Sequence, residues 1–569
     1  MRNAEIAEAF DELASLYELD GAVVYRVVAY RNAAKAIREA GVSVAELARA
    51  GRAEELAGVG GTIAEKIDAL LEGGTIPSAD KLRARIPAGL VEITRIPGLG
   101  PKRVRALHEH VGVTSLDDLR KAAEAGRLDE VPGFGKKAQE NVIAALAADD
   151  AGEARTRFLL PQALAVGEAI VAGLDPYATR LALAGSARRM ADACKDLDVV
   201  AATTDPQALV DAFAELGEID VVHSAGPAGA RAVTHSGIPV DLRVVPEEAF
   251  GNLLQHFTGS GKHNEALRTE AVRRGLHVSE YGIADDESGA THACATEEEV
   301  YERLGMQFIA PELRENRGEL AAAREGALPE LLELADIRGD LHMHTVASDG
   351  LNTIQEMAEA ARERGYSYAA ITDHSASHGF GDHVDPDELL RQVERVRAVE
   401  LKGFTLLAGT EVNVLTDGSL DYADELLEQL DWVVASVHTS FRMGAREMTE
   451  RIVHALEHPL VDALGHPTGR KIQQREPYDV DMDAVIEAAA RTGTFLEINA
   501  NPDRRDLPDS YARAAAEAGV TLVIDSDAHR TATLANMRYG VATARRAWLT
   551  KAQVANTRTW KQLDKLRKR

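Results

Sequence analysis

The sequence predicts a multidomain protein with an N-terminal helical region, a central α+β domain and a C-terminal distorted, parallel (β/α)7 barrel. Three observations predict this architecture. Residues 1–150 read as short amphipathic helices separated by glycine turns. Residues 151–255 alternate strand-like and helical runs. From residue 337 onward, seven strand candidates are mostly followed by amphipathic helices, a pattern typical of a parallel β/α domain.

Length and composition set the limits of this prediction. The 569 residues suffice for about four domains. Apolar residues make up 45% and charged residues 27%, both ordinary for a globular protein. No apolar run reaches transmembrane length and the N-terminus has no signal-peptide pattern, so we expect neither a membrane span nor export. The two cysteines, Cys194 and Cys294, argue against a disulfide framework or a Cys-rich zinc domain and favour the cytoplasm.

The net charge of −27, read alone, argues against nucleic-acid binding, because phosphate contacts require Lys and Arg. The charge is unevenly distributed, however. Residues 1–150 carry 20 basic and 24 acidic side chains, which is close to balance. The acidic excess lies in the remaining domains, where carboxylates can be metal ligands or a solvated face. Charge therefore decides nothing by itself.

A G-x-G turn that opens an amphipathic helix occurs three times in the first 150 residues. The glycines, with the lysines that follow two of the turns, are Gly58, Gly60, Gly98, Gly100, Lys102, Gly133, Gly135 and Lys136. Such a turn directs backbone N–H groups outward and lets a DNA strand approach closely. A single copy could be an ordinary helix–helix turn, but three copies resemble helix-hairpin-helix motifs, which bind the DNA backbone without reading sequence. We therefore expect these residues to bind DNA.

Three carboxylates in the α+β domain form a second candidate site. Asp196 and Asp198 stand at i and i+2 beside a strand, so they face the same side, and Asp241 lies on a later strand. Two-metal phosphoryl transfer needs such a cluster to hold Mg²⁺ or Mn²⁺. An isolated D-x-D is usually a solvated strand face, but here a G-S-x-R-R segment precedes it. In that segment we expect Gly185, Ser186 and Arg189 to bind nucleotide phosphates.

These residues resemble the palm of family X DNA polymerases, within the nucleotidyltransferase superfamily. The segment 256–260 looks like the start of that family's thumb, and Asn264 matches a position that contacts the incoming base. Lys66 matches the Schiff-base lysine of a deoxyribose phosphate lyase. Thr62 and Ser78, however, replace lysines expected around the 5′-phosphate, so Lys66 can equally be a solvated helix lysine.

The resemblance has departures in the palm and thumb. Met190 and Lys195 stand where the family usually has glycine, and Gly261 stands where it has a larger side chain. These departures bear on polymerase efficiency. They keep open a second reading, a DNA-binding nuclease with a weakened or degenerate palm.

Histidines and carboxylates collect at the predicted strand ends of the barrel. The candidate metal ligands are His342, His344, Asp349, His374, Glu411, His438, His466, Asp527 and His529. Functional groups of β/α barrels gather at the C-terminal ends of strands, and imidazoles with carboxylates suit Mn²⁺, Zn²⁺ or Fe²⁺ better than Mg²⁺. The remaining histidines of the barrel, His378, His383, His454 and His458, we interpret as structural or surface residues.

This set resembles the four motifs of the polymerase and histidinol phosphatase (PHP) domain. The whole chain is thus similar to bacterial family X DNA polymerases with a C-terminal PHP domain. The resemblance implies a helical DNA-binding domain at 1–88, helix-hairpin-helix fingers at 89–150, a palm at 151–255, a thumb at 256–316, a linker at 317–336 and a PHP domain at 337–569. It implies three ions in the barrel.

The activity expected from the resemblance is gap-filling DNA repair synthesis joined to a 3′–5′ exonuclease, with abasic-site endonuclease or 3′-phosphatase activity in some members. The expected partners are gapped or primer-template DNA and deoxynucleoside triphosphates. We expect a cytoplasmic monomer that associates with the nucleoid on DNA. A small-molecule phosphatase that uses only the barrel is the other alternative, but the hairpins and the palm motifs serve no small substrate.

Overall fold

The computed structural model describes residues 1–56, 58–94, 96, 99–131, 134, 142, 157–379 and 382–568. It divides into two compact units. The first comprises Met1–Phe158, Gln162–Ala184 and Cys194–Phe250, and the second comprises Leu159–Pro161, Gly185–Ala193 and Gly251–Arg569. No helix of the described residues is long and apolar enough to cross a membrane.

The N-terminal region is helical, as predicted. Its α-helices are Asn3–Leu19, Val24–Glu39, Val44–Arg49, Gly61–Gly73, Pro77–Arg83, Ala88–Ile93, Pro101–Val111 and Leu116–Glu124. Apolar residues at helical spacing, such as Ile6, Phe10 and Leu13, are fully buried in one core. The third glycine turn, with Gly133, Gly135 and Lys136, lies outside the described residues, as does Gly98.

The α+β domain contains a five-stranded sheet with the order β2-β4-β7-β6-β5. Its strands are β2 (Arg180–Leu183), β4 (Leu197–Ala202), β5 (Ile219–Gly226), β6 (Gly229–Thr234) and β7 (Pro239–Val245), and two short strands are β1 (Phe158–Leu159) and β3 (Ala193–Cys194). Strands β4 and β7 are parallel and the other neighbours are antiparallel. The helices are Leu160–Leu174, Gly185–Arg188 and Pro206–Ala214. Strand β6 was not predicted.

The segment that follows contains helices and a small sheet. Helices span Phe250–Thr258, Gly261–Val272, Glu297–Arg303 and Glu319–Glu325, and three antiparallel strands are β8 (Leu276–Ser279), β9 (Gly282–Asp285) and β10 (Thr291–His292). The Ala-, Glu- and Leu-rich stretch 320–334 predicted a connecting helix. The helix there ends at Glu325 because Gly326 adopts a left-handed conformation (φ 69°) at its C-cap.

Seven parallel strands form the barrel in sequential order, which confirms the predicted fold class. They are β11 (Gly339–Asp340), β12 (Tyr368–Ile371), β13 (Thr405–Asn413), β14 (Trp432–Ser436), β15 (Ala463–Leu464), β16 (Phe495–Asn499) and β17 (Leu522–Asp525). The α-helices around them are Ile354–Glu363, Pro386–Arg397, Asp424–Leu427, Ala445–Glu457, Met482–Thr492, Asp509–Glu517, Met537–Arg546 and Trp560–Leu563.

Strand alternation separates two layers of the barrel core. Leu407, Trp432 and Phe495 pack together, with Trp432 and Phe495 stacked at 5.8 Å between ring centroids. Burying each such side chain contributes about 1.5–3 kcal/mol. Because the side-chain period of a strand is two, positions further along the same face point the same way. Leu407 is followed on its face by Glu411, and Phe495 by Glu497, so a polar layer lies above the apolar one.

The first and last strands of the barrel are joined by side chains rather than by a continuous ladder. The Leu341 N–H donates to Asp525 Oδ1 at 2.8 Å, and the Ser526 N–H donates to Asp340 Oδ1 at 3.1 Å. Further along the two strands, Met343 and Ala528 form one isolated parallel β-bridge. These carboxylates satisfy backbone donors that would otherwise be buried without a partner, and they hold the two ends of the sheet together beside the polar layer.

Candidate active sites

The barrel brings all nine sequence-predicted ligands together at the C-terminal ends of its strands. Glu411 lies at the centre of the cluster and is 1% exposed. One of its oxygens, Oε2, lies 2.7 Å from His374 Nδ1 and 3.4 Å from His342 Nε2. The other, Oε1, lies 2.8 Å from His466 Nε2 and 3.2 Å from His438 Nε2. Four imidazoles thus surround a single buried carboxylate.

Asp527 and Asp349 form the other carboxylate positions. Asp527 Oδ1 lies 3.2 Å from His344 Nε2. Asp349 Oδ1 lies 3.3 Å from His529 Nε2 and 3.5 Å from His374 Nε2. Asp527 and His344 are buried, whereas Asp349 and His529 are partly exposed. Asp349 and His529 therefore mark the open side of the cluster.

The donor set fits divalent metal ions. In three groups the ligand atoms all lie within 4.8 Å of one another: His344 with Asp349, His374 and His529; His342 with His344 and Asp527; and His374 with Glu411 and His438. His342 Nε2 and both ring nitrogens of His344 are buried without a properly oriented hydrogen-bond partner among the described residues. Buried polar atoms without partners are costly, and metal coordination would satisfy them.

The pKa values of Glu411 and His344 suit metal binding, whereas His529 would have to lose a proton to coordinate a metal ion. Burial tends to raise the pKa of Glu411, but His438 and the other imidazoles outweigh it and lower the pKa well below the usual range. Burial lowers the pKa of His344 to about 4, and neighbouring imidazoles add to the effect. Burial tends to lower the pKa of His529, but its hydrogen bond to Asp349 and nearby charge raise it to about 9. Glu411 is therefore ionised and His344 neutral at pH 7, the forms that bind metal.

Sequence reasoning missed the residues that hold these ligands in place. Glu497, 1% exposed, accepts a hydrogen bond from His342 Nδ1 at 2.6 Å and another from the His466 backbone N–H at 2.5 Å. Asn499 donates to Glu497 Oε2 at 3.2 Å and to Asp527 Oδ2 at 3.1 Å. The signal for both was their alternation in the strand F-L-E-I-N, which places Glu497 and Asn499 on the face that points to the ligands.

Two further residues border the cluster. Arg504 is 13% exposed, and its Nε lies 3.6 Å from Asp527 Oδ2. His378, which we interpreted as structural or surface, is 1% exposed and its ring stacks on that of His374 at 4.7 Å between centroids. It is therefore a structural neighbour of the ligands and not a surface residue.

In the α+β domain, the parallel register of β4 and β7 places Asp198 directly beside Asp241. Asp196 precedes β4 and is half-exposed, like Asp198. The carboxylate of Asp241 is paired with Arg243 Nε at 2.9 Å and with Arg231 Nε at 3.4 Å. Among the described residues, these three aspartates do not form a group whose oxygens all lie within 4.8 Å. Their role as metal ligands stays a prediction.

The predicted nucleotide-binding residues lie in the second compact unit. Gly185 and Ser186 begin a short helix, and Arg189 Nε pairs with Glu315 Oε1 at 3.2 Å. Asn264 is 7% exposed and accepts a hydrogen bond from Gln255 Nε2 at 2.9 Å. Met190 has φ 54°, a conformation that glycine adopts without strain, which gives a physical reason for the glycine usual at this position.

Two of the three glycine turns can be described in part. Gly58 has φ 88°, which favours glycine, and Gly60 is the N-cap of helix Gly61–Gly73. Gly100 is the N-cap of helix Pro101–Val111, and Lys102 is exposed in its first turn. Lys66 is half-buried. At both turns the second glycine thus caps a helix, as predicted, while DNA binding by these residues stays a prediction.

Comparisons with known proteins identify the domains. The chain matches models described as helix-hairpin-helix domain at residues 1–76, SAM-like helix-hairpin-helix tandem at 90–148, DNA polymerase beta thumb at 253–315 and PHP domain at 340–501. It is 36% identical, over an alignment of 575 positions that covers 100% of both chains, to a protein of Bacillus subtilis (strain 168) named DNA polymerase/3′-5′ exonuclease PolX. The chain belongs to the bacterial family X DNA polymerases that carry a PHP domain.

The PHP domain of this family X chain also has relatives of its own. A protein of Acetivibrio thermocellus named probable phosphatase is 33% identical over 199 residues, which cover 33% of this chain and 78% of the relative. A probable phosphatase of Photobacterium profundum is 30% identical over 207 residues, covering 35% and 80% respectively. The matched part corresponds in size to the barrel.

Glu497→Gln is expected to weaken metal retention in the PHP domain about 10- to 100-fold, because a partner that orients a histidine ligand typically contributes that much to affinity. Gln keeps the shape of the side chain but replaces one acceptor oxygen and removes the charge. Elemental analysis after dialysis against graded chelator measures the effect, with Glu457→Gln on the barrel surface as the control. Equal retention in both variants would show that Glu497 does not support the ligands.

Proposed function

We propose that this chain is a DNA-repair polymerase that fills short gaps and carries a metal-dependent 3′–5′ exonuclease in its PHP domain. The observation that carries the proposal is the full-length match to the Bacillus subtilis polymerase and exonuclease, in a chain that has both predicted sets of site residues. The nuclease half has the more direct structural support, because the barrel brings the nine predicted ligand side chains together in a largely buried cluster.

In the polymerase reaction, Asp196, Asp198 and Asp241 would hold two Mg²⁺ or Mn²⁺ ions. When bound, the ions would stabilise the charge that develops on the triphosphate and favour ionisation of the primer 3′-hydroxyl. That hydroxyl attacks the α-phosphate of a deoxynucleoside triphosphate, and pyrophosphate leaves. Asp198 and Asp241, fixed side by side by the β4–β7 register, supply negative charge from two rigid strands.

The backbone N–H groups of Gly185 and Ser186 are proposed to bind the triphosphate, Arg189 to add positive charge and Asn264 to contact the base. Arg189 is already held by Glu315 and by the Thr258 carbonyl, to which its Nη1 donates at 2.6 Å. Such partners restrict the rotamers of a long side chain and so reduce the entropy lost on binding.

In the nuclease reaction, the nine barrel ligands would hold three ions, for which Mn²⁺, Zn²⁺ and Fe²⁺ are the candidates. The ions would supply an activated water for attack on phosphorus. Glu497 and Asn499 orient the ligands, and Arg504 adds positive charge at the wall of the cluster, where it can offset a phosphate charge.

The barrel also suits the release of a terminal phosphate, a second candidate activity. The observation that favours it is the likeness of the barrel to proteins named probable phosphatases. A 3′-phosphatase or abasic-site endonuclease would prepare blocked ends for the polymerase, and both reactions cleave a phosphate ester with the same ligand set. Lys66 is the candidate for a deoxyribose phosphate lyase.

The helix-hairpin-helix turns are proposed to bind the backbone of gapped or primer-template DNA. We infer a monomer that acts in the cytoplasm on nucleoid DNA. The alternative is a nuclease with a degenerate palm, suggested by Met190, Lys195 and Gly261. Lys195 lies 3.7 Å from Asp196 Oδ2, where it competes with a metal ion for the carboxylate. Primer extension separates the two proposals.

Crossed variants test the assignment of two separate centres. Asp198→Asn is expected to reduce nucleotide addition by about 10³-fold or more, because loss of one metal-binding carboxylate removes several kcal/mol of transition-state stabilisation. His342→Ala with His344→Ala should eliminate nuclease activity to a similar degree. Each change should leave the other activity within about twofold. Primer extension and exonuclease assays on the same preparations measure both.

Loss of both activities in either variant would contradict the assignment of separate centres. Near wild-type extension by Asp198→Asn would overturn the palm assignment and favour the degenerate-palm alternative.

Alanine at the hairpin glycines tests DNA binding without disturbing the fold. A Cβ at Gly60 or Gly100 meets no described atom within 4 Å, and neither residue has positive φ. The double change Gly60→Ala with Gly100→Ala should therefore fold normally, yet its methyl groups should hinder a DNA strand. We expect affinity for gapped duplex to fall at least about tenfold, since one hydrogen bond to a charged phosphate contributes about 1.5 kcal/mol or more.

Gly41→Ala is the matched control, because it too adds a methyl group into open space in the same helical region. Binding is measured by fluorescence anisotropy on two unrelated DNA sequences. The loss should be equal on both, since backbone contacts carry no sequence information. A dissociation constant that matches that of Gly41→Ala would show that these turns do not contact DNA.

A further inference from the structure

The loop Gly185–Ala193 belongs to the same compact unit as residues 251–569 and not to the unit that holds strands β2 and β4 on either side of it. This loop contains Gly185, Ser186 and Arg189, which we propose to bind the nucleotide. The contacts that hold this loop therefore determine the positions of those residues, and several of these contacts come from the barrel.

Asp192, near the end of the loop, forms ion pairs with two arginines of the barrel. Its Oδ2 lies 2.9 Å from Arg470 Nη2, and its Oδ1 lies 3.1 Å from Arg505 Nη1. Arg505 is 0% exposed and its Nε donates to Thr543 Oγ1 at 2.9 Å, so its position is fixed. Arg505 Nη1 has no properly oriented hydrogen-bond partner among the described residues, so its contact with Asp192 is an ion pair. A carboxylate that pairs with two guanidinium groups, one of them buried, is still held more firmly than one in a single exposed ion pair.

A third barrel arginine holds the loop at Arg189. Arg546 Nη1 donates to the Arg189 carbonyl at 2.8 Å and also lies 3.0 Å from Glu315 Oε1. Its Nη2 lies 3.1 Å from Asp509 Oδ2, which ties it back to the barrel. Glu315 also pairs with the Arg189 side chain. Arg546 therefore contacts both the backbone of Arg189, a proposed nucleotide-binding residue, and the carboxylate that pairs with its side chain.

The two anchors lie on either side of Met190, the residue with positive φ. A non-glycine residue in this region costs about 1 kcal/mol or more and persists when the surroundings fix it. Arg546 fixes the chain one residue before Met190, and Arg470 with Arg505 fix it two residues after. The barrel thus supports a loop conformation that this sequence, lacking glycine at position 190, does not favour by itself.

We propose that Arg470, Arg505 and Arg546 are positioning residues for nucleotide binding, so that the PHP domain is a working part of the polymerase as well as the nuclease. The inference rests on the proposed polymerase function. It follows that breaking the grip on Asp192 should weaken nucleotide binding, although Asp192 itself is assigned no contact with nucleotide or metal.

The test uses Asp192→Asn in the full chain, since Asp192 lies outside the barrel and is 36% exposed. Single-nucleotide insertion into gapped DNA gives KM for the deoxynucleotide and kcat, and exonuclease activity of the same preparation reports whether the barrel is intact. We expect KM to rise about five- to tenfold, with kcat and exonuclease activity within about twofold. Asp192→Glu keeps the charge and should restore most of the affinity.

Arg470→Gln attacks the same pair from the barrel side and should raise KM in the same way. The double variant should raise KM less than the sum of the two single effects, because both changes break the Asp192–Arg470 pair. Exonuclease activity reports whether loss of the Arg470 hydrogen bonds to the Arg504 and Arg505 carbonyls disturbs the barrel. Arg491→Gln, which breaks the exposed barrel pair with Glu457, is the matched control and should change neither activity.

An unchanged KM in Asp192→Asn would overturn the inference. Equal loss of kcat and exonuclease activity with constant KM would overturn it as well, because it would indicate a general structural role. A wild-type chain that adds no nucleotide would overturn the proposed polymerase function on which the inference rests.

Discussion

The contact of Glu411 with four imidazoles of the barrel is the interaction on which the proposed nuclease site depends. Removing a carboxylate from water is costly unless charge and hydrogen bonds compensate it, and here four imidazoles lie within 3.4 Å of its two oxygens. The same strand face that buries Leu407 in the apolar layer directs Glu411 into the polar one. Barrel closure therefore sets the geometry of the cluster. The hydrogen bonds that Asp340 and Asp525 accept join the first and last strands of the barrel beside this cluster.

Much of the fold could be predicted because its determinants are local. The seven barrel strands and the helices between them follow from periodicity. The amphipathic pattern of residues 353–364, for example, predicts a helix, and the structure has one at Ile354–Glu363. Strand β6 was missed because G-A-R-A-V-T is short and begins at glycine, and its pairing with β5 and β7 is tertiary. The expected connecting helix was too long because composition favoured helix through 334, whereas a left-handed glycine ends it. Domain boundaries stay predictions.

The part of the candidate site that could be predicted is the part formed by histidine and carboxylate motifs at the strand ends. Residue type and strand position predicted nine barrel ligands. The structure brings eight of them into groups whose ligand atoms lie within 4.8 Å and places His466 beside Glu411, while metal binding by these residues stays a prediction. Glu497 and Arg504 were missed because neither belongs to a histidine motif, and Glu497 acts on His342, which is 155 residues away in sequence. Arg470 and Arg505 are separated from Asp192, with which they form ion pairs, by roughly half the length of the sequence, and no local pattern indicates these pairs. Electrostatic partners of this kind emerge only once the fold brings distant segments together.

The central claim is that the cluster around Glu411 is a multinuclear metal centre. Anomalous diffraction from crystals of the full chain grown with Mn²⁺ tests it most directly, because the signal locates the ions without an activity assay. We expect three anomalous peaks, each at coordination distance, about 2.0–2.3 Å, from His or carboxylate atoms of the nine ligands. Full occupancy elsewhere with no peak beside Glu411 and Asp527 would contradict the account, and the buried imidazoles and carboxylates would then be a structural ion-pair network.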